Sequence, residues 1–259
     1  MCVLKLFFVF LNSIELVLQS HPLVQSQIMD SLTKIESIQS QCSGQQMHIA
    51  VMGIIGAGKT TLAKELGELM GLDVYYEPVQ KNPYLAKFYK DQKKWGFQMQ
   101  IYLLNKRFVQ QQQIIWSGRG GVQDRSIYED SIFAKILSNR GAINPLDYQT
   151  YIELFDNISR FMKRPNLLVY LDVNPSVSLE RVKKRDRQEE KGTTLNLSYL
   201  EDLKKGYQQF IPLISKTIPV LILDWNKPVS PKIAANAILE TINKKISNVI
   251  RVDLNSDQT

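Results

Sequence analysis

The sequence predicts an α/β fold: a mostly parallel sheet of five strands flanked by helices. Three observations point there. From residue 47 onward, short apolar runs alternate with longer segments of helical spacing, which requires crossover connections and parallel strands. A glycine-rich loop stands between the first such run and the first helical segment. The chain has 259 residues, 44% of them hydrophobic and 22% charged, enough to bury one large core without staples.

The elements follow in order. Residues 47–52, Met47-HIAVM, form a short apolar run closed by Gly53 and read as a buried strand. The spacing predicts a helix over 60–70, stopped by Gly71. Residues 73–77 read as a second strand, and a long helix is expected over 95–116, ending at Ser117-GRGG. A short strand over 121–124 precedes a helix over 127–137. Residues 145–162 read as a helix with Pro145 in its first turn. The run Leu167-LVYLDV is a buried strand, and 176–185 and 199–210 are helical. Residues 220–225 give the last strand, and 230–247 a closing helix. The four glutamines from Gln110 sit on a helical face and read as solvated.

Three regions follow: an N-terminal extension and linker over 1–46 outside the core, a core domain over 47–247, and a polar tail over 248–259. Residues 1–18 are apolar, but their longest uncharged run, Leu6 to Ile14, falls well short of the ~20 residues a spanning helix needs. No clear cleavage site marks a signal peptide, and a mitochondrial presequence would carry arginine rather than Glu15. A non-core appendage is the favoured reading, with targeting, or a start nearer Met29 or Met47, left open. Residues 31–46 are rich in Ser and Gln and read as linker.

Composition excludes several chemistries. Two cysteines, Cys2 and Cys42, build no disulfide framework, and two histidines, His21 and His48, lack metal-ligand or triad spacing. Unpaired cysteines suit a reducing interior, so a cytoplasmic location is expected, with organellar targeting by the extension open. The net charge of +7 suits an anionic partner. The later arginines cluster at Arg181, Arg185 and Arg187, which favours a phosphate site over a nucleic-acid face, and no membrane partner is predicted firmly.

The segment Gly53-IIGAGKT matches GxxxxGK[ST] in full. Its glycines permit a tight loop whose backbone N–H groups face a phosphate, and the following helix adds its positive end. Gly53, Ile54, Ile55, Gly56, Ala57, Gly58, Lys59, Thr60 and Thr61 are therefore expected to bind a nucleoside triphosphate. Lys59 would reach its β- and γ-oxygens, and Thr60 would offer a hydroxyl to Mg²⁺.

Other residues carry the acceptor side. Glu77, ahead of Pro78 at the end of the second strand, is placed to take a proton from an attacking hydroxyl. Asp124 and Arg125 follow the third strand, where a carboxylate serves Mg²⁺ and an arginine serves phosphate. Arg181 and Arg185 share a helical face, as do Gln100 and Arg107, and the latter two could read a nucleobase edge. Taken singly, each of these also fits an ordinary surface or packing role.

In this order, Gly53-IIGAGKT, Tyr76-EPV, Asn82-PYLAKFYKD, Trp95-GFQMQIYLLNKRF, Asp124-RSIYED and Arg181-VKKRDRQEE resemble the deoxynucleoside kinase family, in its bacterial-type deoxyadenosine/deoxyguanosine branch. The resemblance spans about residues 47–246. It implies a P-loop kinase fold with an arginine-rich lid, and transfer of the γ-phosphoryl of ATP to the 5′-hydroxyl of a purine deoxynucleoside, deoxyadenosine first and deoxyguanosine second. Glu77 is similar to the family's base, Arg125 to the arginine beside the reacting hydroxyl, and Asp124 to the carboxylate supporting Mg²⁺. Gln100, Arg107 and Asp130 match the base-binding cluster, and Tyr89 and Glu190 the pair at the sugar 3′-hydroxyl. Arg185 and Arg187 match lid arginines, and Arg181 an arginine on the donor phosphates. A homodimer and feedback inhibition by a deoxynucleoside triphosphate are also implied, and no nucleic-acid partner is. Two rival functions stand beside this one. A thymidylate kinase would need basic groups where Glu77 stands. A silent structural subunit would have lost Lys59, Glu77 or Arg125.

Overall fold

The computed structural model describes residues 47–79, 82–185, 195–227, 229–243 and 249–252. Strands β1 (His48–Met52), β2 (Val74–Tyr75), β3 (Gly121–Asp124), β4 (Leu167–Asp172), β5 (Val220–Asp224) and β6 (Val249–Val252) form one sheet in the order β2-β3-β1-β4-β5-β6. Every pairing is parallel. β1 lies between β3 and β4, with Val51 opposite Asp124 on one side and Val169 on the other. All five residues of β1 are buried, as expected of a strand covered on both faces.

Eight helices are described: α1 (Lys59–Met70), α2 (Leu85–Lys90), α3 (Gln92–Ser117), α4 (Asp130–Asn139), α5 (Pro145–Arg160), α6 (Pro175–Arg185), α7 (Leu197–Ile214) and α8 (Pro231–Asn243). Local chemistry sets their ends. Asp91 caps α3 by accepting from Lys94 N–H at 3.1 Å, and Asn144 and Asn196 cap α5 and α7 in the same way. Left-handed Gly71 and Gly118 stop α1 and α3. Helix α1 packs on β1, β3 and α8, while α3 packs on α2, α4 and α5. None of the described helices is long and apolar enough to cross a membrane.

The five expected strands are all present, and the fold class is as predicted. A sixth strand joins β5 within the stretch expected to be a polar tail: residues 249–252, Val-Ile-Arg-Val, are β-branched enough to extend the sheet edge. β2 is only two residues long, because it has one neighbour, β3, and Tyr76 and Glu77 have already left the sheet. Helix α2 was not anticipated; Asp91, at φ −150°, breaks it from α3 while capping the latter. The helix expected from residue 127 starts at Asp130, because the preceding turn is closed by a side chain of its own. Helix α7 continues past Phe210 to Ile214 with Pro212 inside its last turn.

Candidate active site

The loop after β1 turns on glycines. Gly53, Gly56 and Gly58 all have positive φ. At Gly56 (φ +83°) an added Cβ would sit 2.6 Å from Val182 Cγ2 and 2.7 Å from the Ser178 carbonyl, so α6 packs directly on the loop. The Ser178 hydroxyl donates to the Ile55 carbonyl from the same side. Lys59 is buried and folds back over the loop, donating to the carbonyls of Gly53 (3.1 Å) and Ile54 (3.0 Å). Burial, with Arg125 nearby, lowers its ammonium from 10.5 to about 8.

Thr60, the second residue of α1, donates from Oγ1 to Asp124 Oδ2 at 2.5 Å. The parallel register of β1 and β3 brings them together across 64 residues. The other carboxylate oxygen, Asp124 Oδ1, is buried without a hydrogen-bond partner. Burial first and Glu77 second push the Asp124 carboxyl above its usual range. A threonine hydroxyl beside a buried carboxylate oxygen that lacks a donor suits a hard cation such as Mg²⁺.

Glu77 lies where the chain leaves β2. Its Oε1 is 2.6 Å from Arg107 Nη2 and 3.1 Å from Arg125 Nε. Burial opposes its charge, but Arg125, Arg107 and Lys59 outweigh burial and draw its pKa down to about 2. Arg107 comes from the middle of α3 and bridges two carboxylates, Glu77 and Asp130. Burial lowers the Arg107 pKa, and Glu77 offsets part of that. Arg125 is the one described non-glycine residue with positive φ, +74°. That conformation costs about 1–3 kcal/mol and turns the guanidinium into the site. There it meets Glu77, Glu129 Oε2 (3.0 Å) and the Tyr207 hydroxyl (3.1 Å), with the Phe133 ring 4.7 Å beneath. Although burial opposes its charge, Glu129 and Glu77 hold it firmly protonated.

These groups surround one cavity of about 850 Å³. Gly56, Gly58, Lys59, Thr60, Thr61 and Asp124 line it at the loop end. Glu77, Tyr89, Gln100, Arg107 and Arg125 line it with Phe88, Met99, Leu103 and Phe133 farther in. Gln100 is buried, and its Oε1 lacks a partner. Asp130 is fully buried behind Arg107 rather than on the cavity wall, and its Oδ2 is also unpartnered. Arg181 and Arg185 reach the loop end from α6, and Arg181 donates to the carbonyls of Ala57 (3.3 Å) and Trp225 (2.9 Å). Arg187 and Glu190 lie outside the described residues.

Two residues of this centre carried no sequence expectation: Glu129 and Tyr207. Glu129 Oε1 accepts from Ser126 N–H at 2.9 Å, and the spacing Ser126-Ile-Tyr-Glu129 is that of a capping box, the one sequence signal for it. Tyr207, from α7, hydrogen-bonds Glu129 and approaches the Gly53 carbonyl. Nothing local in the sequence marks it.

A chain with a phosphate loop, a half-buried carboxylate clamped by two arginines and an adjoining half-apolar cavity is built for phosphoryl transfer to a small organic acceptor. Comparison with known proteins narrows this. Residues 49–247 match the family model described as deoxynucleoside kinase. The chain is 55% identical over 191 residues to a deoxyadenosine kinase of Dictyostelium discoideum, covering 74% of this chain and 77% of that protein. It is 41% identical over 166 residues to a deoxyadenosine/deoxycytidine kinase of Bacillus subtilis, covering 63% and 76%. Among solved structures it is similar to deoxyadenosine kinase from M. mycoides with bound dATP. There the TM-score is 0.68 at 34% identity, covering 76% of this chain and 99% of that one.

Proposed function

This chain belongs to the deoxynucleoside kinase family and is an ATP-dependent phosphotransferase; on that premise we propose that its acceptor is a purine deoxynucleoside, deoxyadenosine first and deoxyguanosine second. The observation that carries the proposal is the unpartnered Gln100 Oε1, buried in the cavity wall beside Arg107. A buried amide oxygen without a donor favours a base with an exocyclic amine, which adenine, guanine and cytosine have and thymine lacks; the choice of a purine among them follows the relatives. The D. discoideum and B. subtilis relatives named for deoxyadenosine support the order of preference. A deoxyguanosine kinase of D. discoideum, 38% identical over 183 residues, supports the second choice.

The mechanism is in-line transfer of the γ-phosphoryl of ATP to the acceptor's 5′-oxygen, with the chain supplying position and charge. The loop N–H groups and Lys59 hold the donor phosphates, joined at the loop end by Arg181 and Arg185. On ATP binding, Lys59 exchanges its two carbonyl partners for phosphate oxygens. Thr60 and Asp124 would hold Mg²⁺, which neutralises phosphate charge when bound. Glu77 accepts the hydrogen bond of the 5′-hydroxyl and orients it. With a pKa near 2 it is a weak base in the resting site, so it takes the proton late, once the hydroxyl oxygen has begun to bond phosphorus. Arg125 stands between Glu77 and the transferring group. Tyr89 faces the sugar.

A homodimer fits the surface. Of α5, only Tyr151 is buried, while Leu146 (73% exposed), Phe161 just beyond the helix (88%) and Trp116 at the end of α3 (75%) leave large apolar side chains uncovered. Sedimentation at micromolar concentration tests this; a monomer at all concentrations contradicts it. The base assignment is tested by Gln100→Leu. Loss of about 1–3 kcal/mol in deoxyadenosine kcat/KM is expected, with ATP binding intact; an unchanged kcat/KM overturns it.

A further inference from the structure

The buried group that the mechanism above leaves without a task is the Glu129–Tyr207 pair. Glu129 is fully buried at the end of the turn after β3, and Tyr207 fully buried in the middle of α7. Glu129 uses both oxygens: Oε1 closes the turn by accepting from Ser126 N–H, while Oε2 accepts from Arg125 Nη1 and the Tyr207 hydroxyl. The Gly53 N–H lies 3.5 Å from the same oxygen. The Tyr207 hydroxyl in turn accepts from Arg125 Nη1 at 3.1 Å. It lies 3.1 Å from the Gly53 carbonyl, the same carbonyl that takes Lys59. Its single proton is contested between Glu129 and Gly53 O. Burial first and Glu129 second keep this phenol protonated well above 10, so it remains a neutral donor. The ring is stacked on Tyr170 at 5.1 Å, which leaves the hydroxyl little freedom.

This arrangement differs from ordinary core satisfaction. A lone buried arginine needs one carboxylate, and Glu77 already supplies it from the cavity side. Glu129 and Tyr207 hold the opposite edge, through Nη1, and none of these contacts uses Nη2. Arg125 therefore keeps an anchor when Glu77 turns to an acceptor hydroxyl. The Gly53 carbonyl still has the Tyr207 hydroxyl 3.1 Å away when Lys59 turns to a phosphate. The two cationic groups of the site are thus referred to one rigid frame.

We propose that Glu129 and Tyr207 are positioning residues for phosphoryl transfer: they lock the Arg125 guanidinium to the first glycine of the phosphate loop, so that Arg125 and Lys59 meet the transferring group at a fixed separation. The proposal rests on the reading that Arg125 acts on the transferring phosphoryl. Misplacement of such a group by a fraction of an ångström lowers turnover without weakening substrate binding.

The test uses full-length enzyme with ATP-Mg²⁺ and deoxyadenosine. Tyr207→Phe removes one oxygen and keeps the stacked ring. It is expected to lower kcat about tenfold, with both KM values within about twofold and a single cooperative melting transition retained. Arg125→Lys is expected to lower kcat about a hundredfold, because lysine cannot reproduce the two-edged contact. The double variant is expected to lose no more than about twofold beyond Arg125→Lys alone, since Tyr207 acts through Arg125. Glu129→Gln provides a second approach and is expected to behave as Tyr207→Phe does, with a larger loss. Unchanged kcat in both Tyr207→Phe and Glu129→Gln, or losses that multiply in the double variant, would overturn the proposal. Full activity of Arg125→Lys would instead sink the underlying reading of Arg125.

Discussion

Replacing Glu77 by Gln separates two effects that the structure allows to be sized independently. The first is on folding. Glu77 is one of two carboxylates on each of two buried arginines. Stripping a buried ion pair of its only partner costs about 3–5 kcal/mol. Here Arg107 keeps Asp130 and Arg125 keeps Glu129, so the loss should stay near 2 kcal/mol or below, a fall of roughly 4–8 °C in Tm for a chain of this size. The second effect is on turnover. Gln retains an oxygen that can orient the hydroxyl but cannot take its proton. Proton acceptance by a positioned side chain contributes about 10²–10⁴-fold. For a proton acceptor, a resting pKa of about 2 means late acceptance, which sets the expectation toward the lower end, a kcat loss of about 10²–10³. ATP affinity should be unchanged, because the phosphate loop and Lys59 are untouched. Steady-state kinetics at saturating ATP-Mg²⁺, calorimetric titration with ATP and a thermal melt give all three numbers. A kcat within threefold of the parent would refute the role of Glu77, and collapse of the melting transition would refute the shared-carboxylate argument.

Further predictions come from other parts of the fold. Lys59→Ala should reduce turnover about 10²–10³-fold by removing a charge from the phosphate oxygens; a full-rate variant would discredit the loop assignment. Gly56→Ala forces a Cβ against Val182 and the Ser178 carbonyl at positive φ, so ATP affinity and Tm should both fall, and a parental calorimetric Kd would contradict this. His48, buried in β1 against Gln123, is held by burial at about 4, below its unfolded value near 6.5. A folded pKa depressed in this way gives stability that is intact above pH 6.5 and lost as pH falls toward 4. Between pH 7 and 5 the loss is about 2 kcal/mol. Urea unfolding of the parent and His48→Gln at those two pH values should show the variant losing that much less; equal losses would mean His48 is protonated in the fold.

Much of the site was legible because its chemistry is written contiguously. A phosphate loop needs its glycines, lysine and threonine at fixed spacing, so Gly53 to Thr60 could be read without a fold. Glu77 and Asp124 were legible one step further, because the carboxyl end of a parallel strand faces the ligand crevice. The network holding Arg125 was not. Tyr207 and Glu129 meet across 78 residues, and a tyrosine in an amphipathic helix carries no mark of its partner. Asp130 was expected at the base and lies behind Arg107, whose guanidinium it pairs with across 23 residues, a partnership that helical spacing does not show. The fold followed the same division. The long buried strands announced themselves and β2 was read, though longer than its single neighbour allows, while β6, a short edge pairing, depends on a neighbour the local sequence does not show.

The proposed role of this cavity is to phosphorylate a purine deoxynucleoside. Transfer of labelled phosphate from ATP-Mg²⁺ to each of the four deoxynucleosides, with adenosine and thymidine monophosphate alongside, tests it most directly. Strong transfer to deoxyadenosine, weaker transfer to deoxyguanosine, little to adenosine and none to the monophosphate is expected. Turnover of thymidine monophosphate alone, or binding of ATP with no transfer to any acceptor, would contradict it.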